Sequence, residues 1–296
     1  MNEETIINRQ STIAAPPDLY ALIIRLIATQ NGRLRATQGH LAHAAFLNML
    51  QQVDPAVSEA IHEMVGRKPF TISPLEGFGR PHKGSLTIQT GQEGWLRVTL
   101  LDPTLFQTFI GYFLQGTNKP TIRLENLTFH ISEILSTPGS HSLAGYDSLE
   151  ALFHRWAEAE IINTAYHKIG LQFRTPTAFS MRGSPFRHMH ILPDPPLVFG
   201  QLADYWDTLT GSETRDAVRV FCAEAVVVAR YRIETHMYQY RRSKQVGFAG
   251  DVVFEILDKE APDMVQHLNR LADLAFYTGV GSKTTMGMGQ VVRVAH

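Results

Sequence analysis

STPGSHSLAGYD, residues 136–147, is built from small, polar and turn-forming residues and lies near the middle of the chain. Glycine supplies positive φ, proline fixes φ, and serine and aspartate bond to their own backbone, so such a cluster punctuates the chain. It marks a domain boundary, with one domain over 1–138 and a second over 147–296. A chain of 296 residues, 44% apolar and 19% charged, can bury two ordinary cores.

Upstream of the boundary, LYALIIRLIA (19–28) reads as a buried strand. GHLAHAAFLNMLQQV (39–53) reads as a helix, because Ala42, Phe46, Met49 and Val53 share one face at a 3.6-residue period. Asp54-Pro55 ends it and starts a second helix, DPAVSEAIHEM. KPFTISPLEGF (68–78) returns as a strand. SLTIQT (85–90) and GWLRVTLL (94–101) are strands joined through Gly91-Gln92-Glu93. LDPTLFQTFIGYFLQ (101–115) is helical, and TIRLENLTFHISEIL (121–135) reads as one long strand region. Counting the two successive helices as one, the order β, α, β, β, α, β is ferredoxin-like, a helix-covered antiparallel sheet.

Downstream, a helix near 148–158 precedes a strand over 161–174 and a Pro/Gly-bearing loop over 175–196. Then come a helix, LVFGQLADYWDTL, two strand regions flanking the basic turn RRSK, the helix PDMVQHLNRLADLAFYTG and a closing strand, GQVVRVA. The order repeats without visible sequence repetition. The expected fold is therefore α+β, with tandem ferredoxin-like (RRM-like) domains.

Net charge is −1, yet basic residues cluster. Residues 161–193 hold Lys168, Arg174, Arg182 and Arg187 without an acid, and 235–250 hold Arg241, Arg242 and Lys244 without one. Local basic surfaces on a neutral chain fit nucleic-acid binding. Cys222, the only cysteine, excludes an internal disulfide and a cysteine-based zinc site, and fits core packing in a reducing cytoplasm. MNEETIINRQ is acidic and polar, unlike a secretory signal. No apolar run approaches membrane-span length, so no membrane partner is expected.

GVGSKTTMGMGQ (279–290) joins the last helix, which carries Arg270, to the last strand. Glycines with free N–H groups can form an anion-binding nest. A nucleotide phosphate loop needs Gly-Lys adjacent and a Ser or Thr next; here Ser282 separates Gly281 from Lys283, and six residues follow Gln290. A loop at one sheet end can instead lie along a phosphodiester backbone without reading bases. In AIHEMVGRKPFT (60–71), His62 ends a helix and Lys68 opens a strand. The imidazole can move protons near neutral pH, and the lysine can stabilise charge developing on a phosphate. RNA brings its own nucleophile, the 2′-OH, so this pair can suffice without a metal or cofactor. The plainer reading is a histidine balancing a helix dipole beside a solvated lysine.

AFYTGVGSKTTMGMGQ, DPAVSEAIHEMVGRKPFTISPL and FRTPTAF together resemble the CRISPR-associated repeat-processing endoribonucleases of the RAMP (repeat-associated mysterious protein) superfamily. The resemblance spans nearly the whole chain and is most specific in the glycine-rich tail. It implies tandem ferredoxin-like domains and metal-independent cutting of precursor CRISPR RNA within each repeat. The implied products are a 5′-hydroxyl downstream end and an upstream 2′,3′-cyclic phosphate. The implied partners are repeat RNA and a CRISPR effector complex. The family's catalytic histidine matches His62, its assisting lysine Lys68, and its glycine loop Gly279, Gly281, Gly287 and Gly289, with Lys283 among them.

One departure stands out. Some relatives carry a tyrosine on the first helix where this chain has Leu47. His43, four residues earlier, and His40, seven earlier, lie on or near the same face, away from the apolar stripe. His43 is the expected substitute. His40/His43 and His188/His190 have metal-like spacings, but no carboxylate or cysteine lies near either pair in sequence, so no metal site is expected. Arg182 and Arg187, in the long loop, and Arg241, Arg242 and Lys244, on a hairpin tip, are candidate RNA contacts. The remaining alternatives are a non-catalytic RAMP subunit and a nucleotide-binding enzyme.

Overall fold

The computed structural model describes residues 16–114, 120–157, 164–181, 188–240 and 244–295. The first half runs β1 (Leu19–Ala28), β2 (Gly32–Arg35), α1 (Gly39–Val53), α2 (Pro55–Glu63), β3 (Phe70–Ile72), β4 (Ser85–Ile88), β5 (Glu93–Leu100), α3 (Pro103–Leu114), β6 (Thr121–Leu124), β7 (Leu127–Leu135) and β8 (Gly145–Asp147). The second runs α4 (Leu149–Ala157), β9 (Lys168–Thr177), β10 (Phe179–Ser180), β11 (Met189–His190), α5 (Pro195–Thr210), α6 (Arg215–Ala225), β12 (Val226–Gln239), β13 (Lys244–Ile256), α7 (Pro262–Thr278) and β14 (Val291–Val294).

The two main sheets share one topology. The first is ordered β3-β5-β1-β7-β6, with β8 also on β1; the second is ordered β12-β13-β9-β14. In each, the strand leaving the first helical layer pairs with the strand that precedes the last helix, which pairs with the first, which pairs with a strand that follows the last helix. All the pairings are antiparallel. This is the tandem ferredoxin-like arrangement read from the sequence. Among the described residues no helix is long and apolar enough to cross a membrane.

β1 is apolar at every position but Arg25, which is exposed, because most of the strand is buried on both faces. Leu22, Ile24 and Leu26 join the first core, with Phe46, Phe70 and Phe109. Leu19 and Ala21 join the second core, with Phe173, Phe199 and Phe254. β5 alternates differently. Leu96, Val98 and Leu100 enter the first core, whereas the intervening Arg97 and Thr99 face the second half.

These polar residues lock the two halves. Arg97 donates to Leu143 O at 2.9 Å, Gln290 Oε1 at 2.9 Å and Phe276 O at 2.7 Å. Thr99 donates to Tyr277 O at 2.6 Å, and Gln290 donates to Thr71 Oγ1 at 3.2 Å. Burial holds the Arg97 guanidinium down to about 9. A buried charge held by neutral acceptors is costly to leave unpaired, so separating the halves is penalised. The α7–β14 loop is thereby fixed against α1 and β3.

Several local readings need correction. The stretch 121–135 is two strands, because Glu125 takes φ 54 and reverses the chain between β6 and β7. β4 pairs with β2, an element missing from the sequence reading, with Leu34 opposite Leu86. The strand expected over 68–78 is continuous only at Phe70–Ile72, with a separate bridge from Glu76 to Trp95, and the one expected from 161 starts at Lys168. α6 was not anticipated either. The basic stretches borrow acids from elsewhere: Arg174 pairs with Glu76 at 3.2 Å and Lys168 with Glu255 at 4.0 Å. Cys222 is buried in the second core, which pushes its thiol up to about 12.

Candidate functional site

α1 and α2 meet at a sharp break. Asp54 caps α2, accepting from Ala56 N at 3.0 Å and Val57 N at 3.2 Å, and Pro55 occupies the first turn without an N–H to satisfy. Ser58 of α2 donates to Leu47 O at 3.1 Å, so α2 folds back along α1. Leu47 is half-buried and packs on the first core. The expectation that it sits on an open polar face is therefore corrected.

α2 ends at the site. His62 is exposed in its last turn. Lys68 reaches back and donates to the carbonyls of Ile61 and His62, the latter at 3.1 Å. An ammonium at a helix C-terminus satisfies orphan carbonyls and opposes the dipole. It has three protons, so one N–H remains for another acceptor. Partial burial lowers the Lys68 pKa.

His43 faces the same place from α1. Its ring stacks on Phe70 at 5.5 Å, and its Nδ1 lies 2.9 Å from Thr285 O. A carbonyl only accepts, so Nδ1 carries the proton and Nε2 keeps its lone pair. The His43 pKa is lowered, first by burial and then by the charges of Lys68 and His62, while the Thr285 carbonyl opposes the shift. His43, His62 and Lys68 thus come together beside the glycine loop.

In that loop, Gly279, Gly281, Gly287 and Gly289 are buried at positive φ. A Cβ on Gly289 would stand 2.0 Å from Val280 O. The backbone amides of Gly279, Val280, Gly281, Ser282, Met288 and Gly289 already donate within the protein. The glycines let the loop coil tightly, with a 3-10 turn at Thr284–Met286. Lys283 is the exposed cation at its apex, with Nζ 3.7 Å from the Tyr240 ring centre and its pKa lowered by partial burial.

Tyr238 completes the junction, and the sequence reading missed it. Its hydroxyl accepts from Gly39 N at 2.9 Å and donates to Met286 O at 2.9 Å, tying the start of α1 to the loop. Burial pushes the phenol up to about 12, which keeps that proton in place. Thr37 donates to Gln239 O alongside. The available signal was HMYQY, where Tyr238 and Tyr240 alternate onto one strand face.

Other expected residues lie elsewhere. Arg182, Arg187, Arg241 and Arg242 fall outside the described residues. Lys244 is exposed at the start of β13. His40 stands edge-on to Tyr240 at 6.4 Å. His190 lies 3.4 Å from Asp194, which corrects the expectation that no carboxylate is near it. Arg270 is buried against Phe153 and Trp206 and does not face the site. No cluster of three or more His, Cys, Asp or Glu side chains placed to hold a metal occurs among the described residues.

Beside the cluster, a cleft of about 590 Å³ opens between the halves, lined by Arg67 and Lys68 on one side and by α5, α6 and the glycine loop on the other.

Known proteins share this architecture. A family model described as CRISPR Cas6 N-terminal domain matches residues 18–154, and one described as CRISPR-associated endoribonuclease Cas6 matches residues 171–291. A CRISPR-associated endoribonuclease Cas6 of Streptococcus thermophilus is 26% identical over 136 residues, 45% of this chain and 54% of that protein. The chain thus spans about half the length of that curated relative. Thermus thermophilus Cas6 superposes with a TM-score of 0.70 at 27% identity, covering 95% of this chain and 100% of that one. A product complex of the same Thermus protein superposes with a TM-score of 0.77 at 28% identity, covering 94% of this chain and 100% of that one.

Proposed function

The chain belongs to the CRISPR-associated Cas6 endoribonuclease family, and we propose that it cuts precursor CRISPR RNA within its repeats, without metal, using His43, His62 and Lys68. The observation that carries this reading is the convergence of these side chains, from two helices and a strand approach, beside a loop of the other domain. The related Cas6 solved as a product complex supports it.

The chemistry follows from the contacts. The 2′-OH attacks the adjacent phosphorus and the O5′ bond breaks. The upstream fragment ends in a 2′,3′-cyclic phosphate and the downstream fragment begins with a 5′-hydroxyl. His43, held neutral by burial, accepts the 2′-OH proton at Nε2. His62, in its protonated form, gives a proton to the departing O5′. The unused N–H of Lys68 stabilises the extra charge on the phosphorane-like transition state. The glycines shape the loop, and Lys283 presents charge to the RNA backbone. Arg182, Arg187, Arg241, Arg242 and Lys244 remain proposed backbone contacts. The substrate is an intracellular transcript, so the proposed location is the cytoplasm, with an effector complex receiving the mature guide.

The test is to incubate the purified protein with repeat RNA in EDTA and map the product ends. A single cut with the stated ends is expected. Loss of cutting in EDTA overturns the metal-free mechanism. Tight binding with no cut under any condition makes the chain a non-catalytic RNA-binding subunit instead.

A further inference from the structure

The cleft beside the catalytic cluster is more than a solvent gap. Five cations line it: Arg67, Lys68, Arg215, Arg219 and Lys283, against one carboxylate, Asp204. Asp204 is already shared, lying 2.6 Å from Arg67 and 3.3 Å from Arg215. Arg67 also lies over the Tyr205 ring at 4.1 Å. That leaves Lys68, Arg219 and Lys283 with no carboxylate partner among the described residues, and they come from three separate segments.

A second observation concerns how Arg219 is aimed. Its stem crosses α5 at Gly200, where a Cβ would stand 2.4 Å from Arg219 Cγ and 2.9 Å from Cδ. Glycine in a helix interior costs roughly 0.5–1 kcal/mol relative to alanine. Here the missing side chain gives the arginine its path along the cleft wall. Apolar lining comes from Phe179, Met181 and Leu197, the last on α5 beside Gly200. The cavity volume falls within the roughly 300–1,000 Å³ range of sites for single small ligands. A cationic rim over an apolar wall matches one nucleotide, whose phosphate is charged and whose base is flat and poorly solvated on its faces.

We propose that this cleft holds one unpaired nucleotide of the RNA next to the cut, its phosphate on Arg219 and Lys283 and its base against the apolar lining from Phe179, Met181 and Leu197. The inference rests on the RNA-cutting reading and adds a specificity site to it. Lys68 belongs to both the cleft and the catalytic cluster, so the nucleotide held here flanks the scissile phosphate. Arg219 becomes a specificity residue carried by α6, remote in sequence from the histidines.

The experiment reads binding, so it does not depend on cleavage. Repeat RNA made uncleavable by 2′-deoxy substitution at the mapped cut, or throughout the repeat if no cut is found, is scanned with one abasic site at a time. Wild type is compared with Arg219→Ala, Gly200→Ala and Ser180→Trp, the last placing an indole on an exposed residue that lines the cleft. Wild type should lose about fivefold to a hundredfold in affinity at one or two adjacent positions. Ser180→Trp should abolish that position dependence. Arg219→Ala should lower the salt slope of binding by about 0.7, and Gly200→Ala should do the same with undiminished thermal stability. A flat scan in wild type, or an unchanged position dependence in Ser180→Trp, overturns the nucleotide site. Failure to cut natural RNA bears on the catalytic reading alone.

Discussion

His43 Nδ1 lies 2.9 Å from the carbonyl oxygen of Thr285, a contact that joins the first helix to the C-terminal loop across 242 positions of sequence. It sets the tautomer of the imidazole and leaves Nε2 as the acceptor. Because the neighbouring charges of Lys68 and His62 add to burial, His43 resists protonation.

The first prediction is a pH profile. A base works only when unprotonated, so cleavage should fall as pH drops through the depressed pKa of His43. The acid limb of the single-turnover rate therefore lies below the ordinary histidine value of about 6.5. His43→Ala should lose that limb and about 10²–10⁴-fold in rate while still binding RNA. An acid limb above 6.5 that persists in His43→Ala would assign the base elsewhere.

His62 separates chemistry from folding. Its side chain is exposed, and Lys68 is held by its backbone carbonyl. His62→Ala should change stability by no more than about 0.5 kcal/mol, with about 10²–10⁴-fold slower cutting. Urea denaturation and single-turnover kinetics on one preparation check both halves. An undiminished rate removes His62 from the mechanism.

Tyr238 should act through position. Tyr238→Phe strips the shared hydroxyl from Gly39 N and Met286 O, at about 1–3 kcal/mol for buried groups left unpaired. Gly39→Ala attacks the same junction by overpacking, since a Cβ there would stand 2.0 Å from Met286 O. Both variants should lower the cleavage rate more than RNA affinity. Equal losses in both would mean that the junction serves folding only.

Stability should fall in acid because of His267. Arg270 Nη1 donates to its Nδ1 at 3.3 Å, and its Nε2 donates to Thr214 Oγ1 at 3.0 Å, an arrangement that requires a neutral ring. Burial, then Arg270, holds its pKa at about 4, with Asp207 opposing. The unfolded chain takes up a proton that the fold refuses. This contribution is complete above about 6.5 and is lost as pH falls toward 4, for a total of about 3 kcal/mol. Denaturant midpoints measured from pH 7 to pH 4 should show the decline, and His267→Gln should flatten it.

Local pattern carried far into this fold. The 3.6-residue spacing of Ala42, Phe46 and Met49 placed α1 at Gly39–Val53, and the repeated order of elements folded into two sheets of one topology. Pattern failed where neighbours compete. Residues 121–135 lack glycine or proline, yet Glu125 accepts positive φ because pairing β6 with β7 outweighs the strain. Valines in 215–228 blur the end of α6 into the start of β12, since β-branched residues suit both a buried helix face and a strand.

The sequence by itself determined the order of the main helices and strands, the glycine loop, and the histidines and lysine proposed for the cut, since spacing and residue type are local properties. Only the tertiary structure decided which of them meet. The buried Arg97 seam sets the two sheets in register, and that register brings Thr285 to His43, Tyr238 to Gly39 and Arg219 to the cleft beside Lys68. Such contacts depend on packing between segments far apart in the chain, and no periodicity along the chain encodes them.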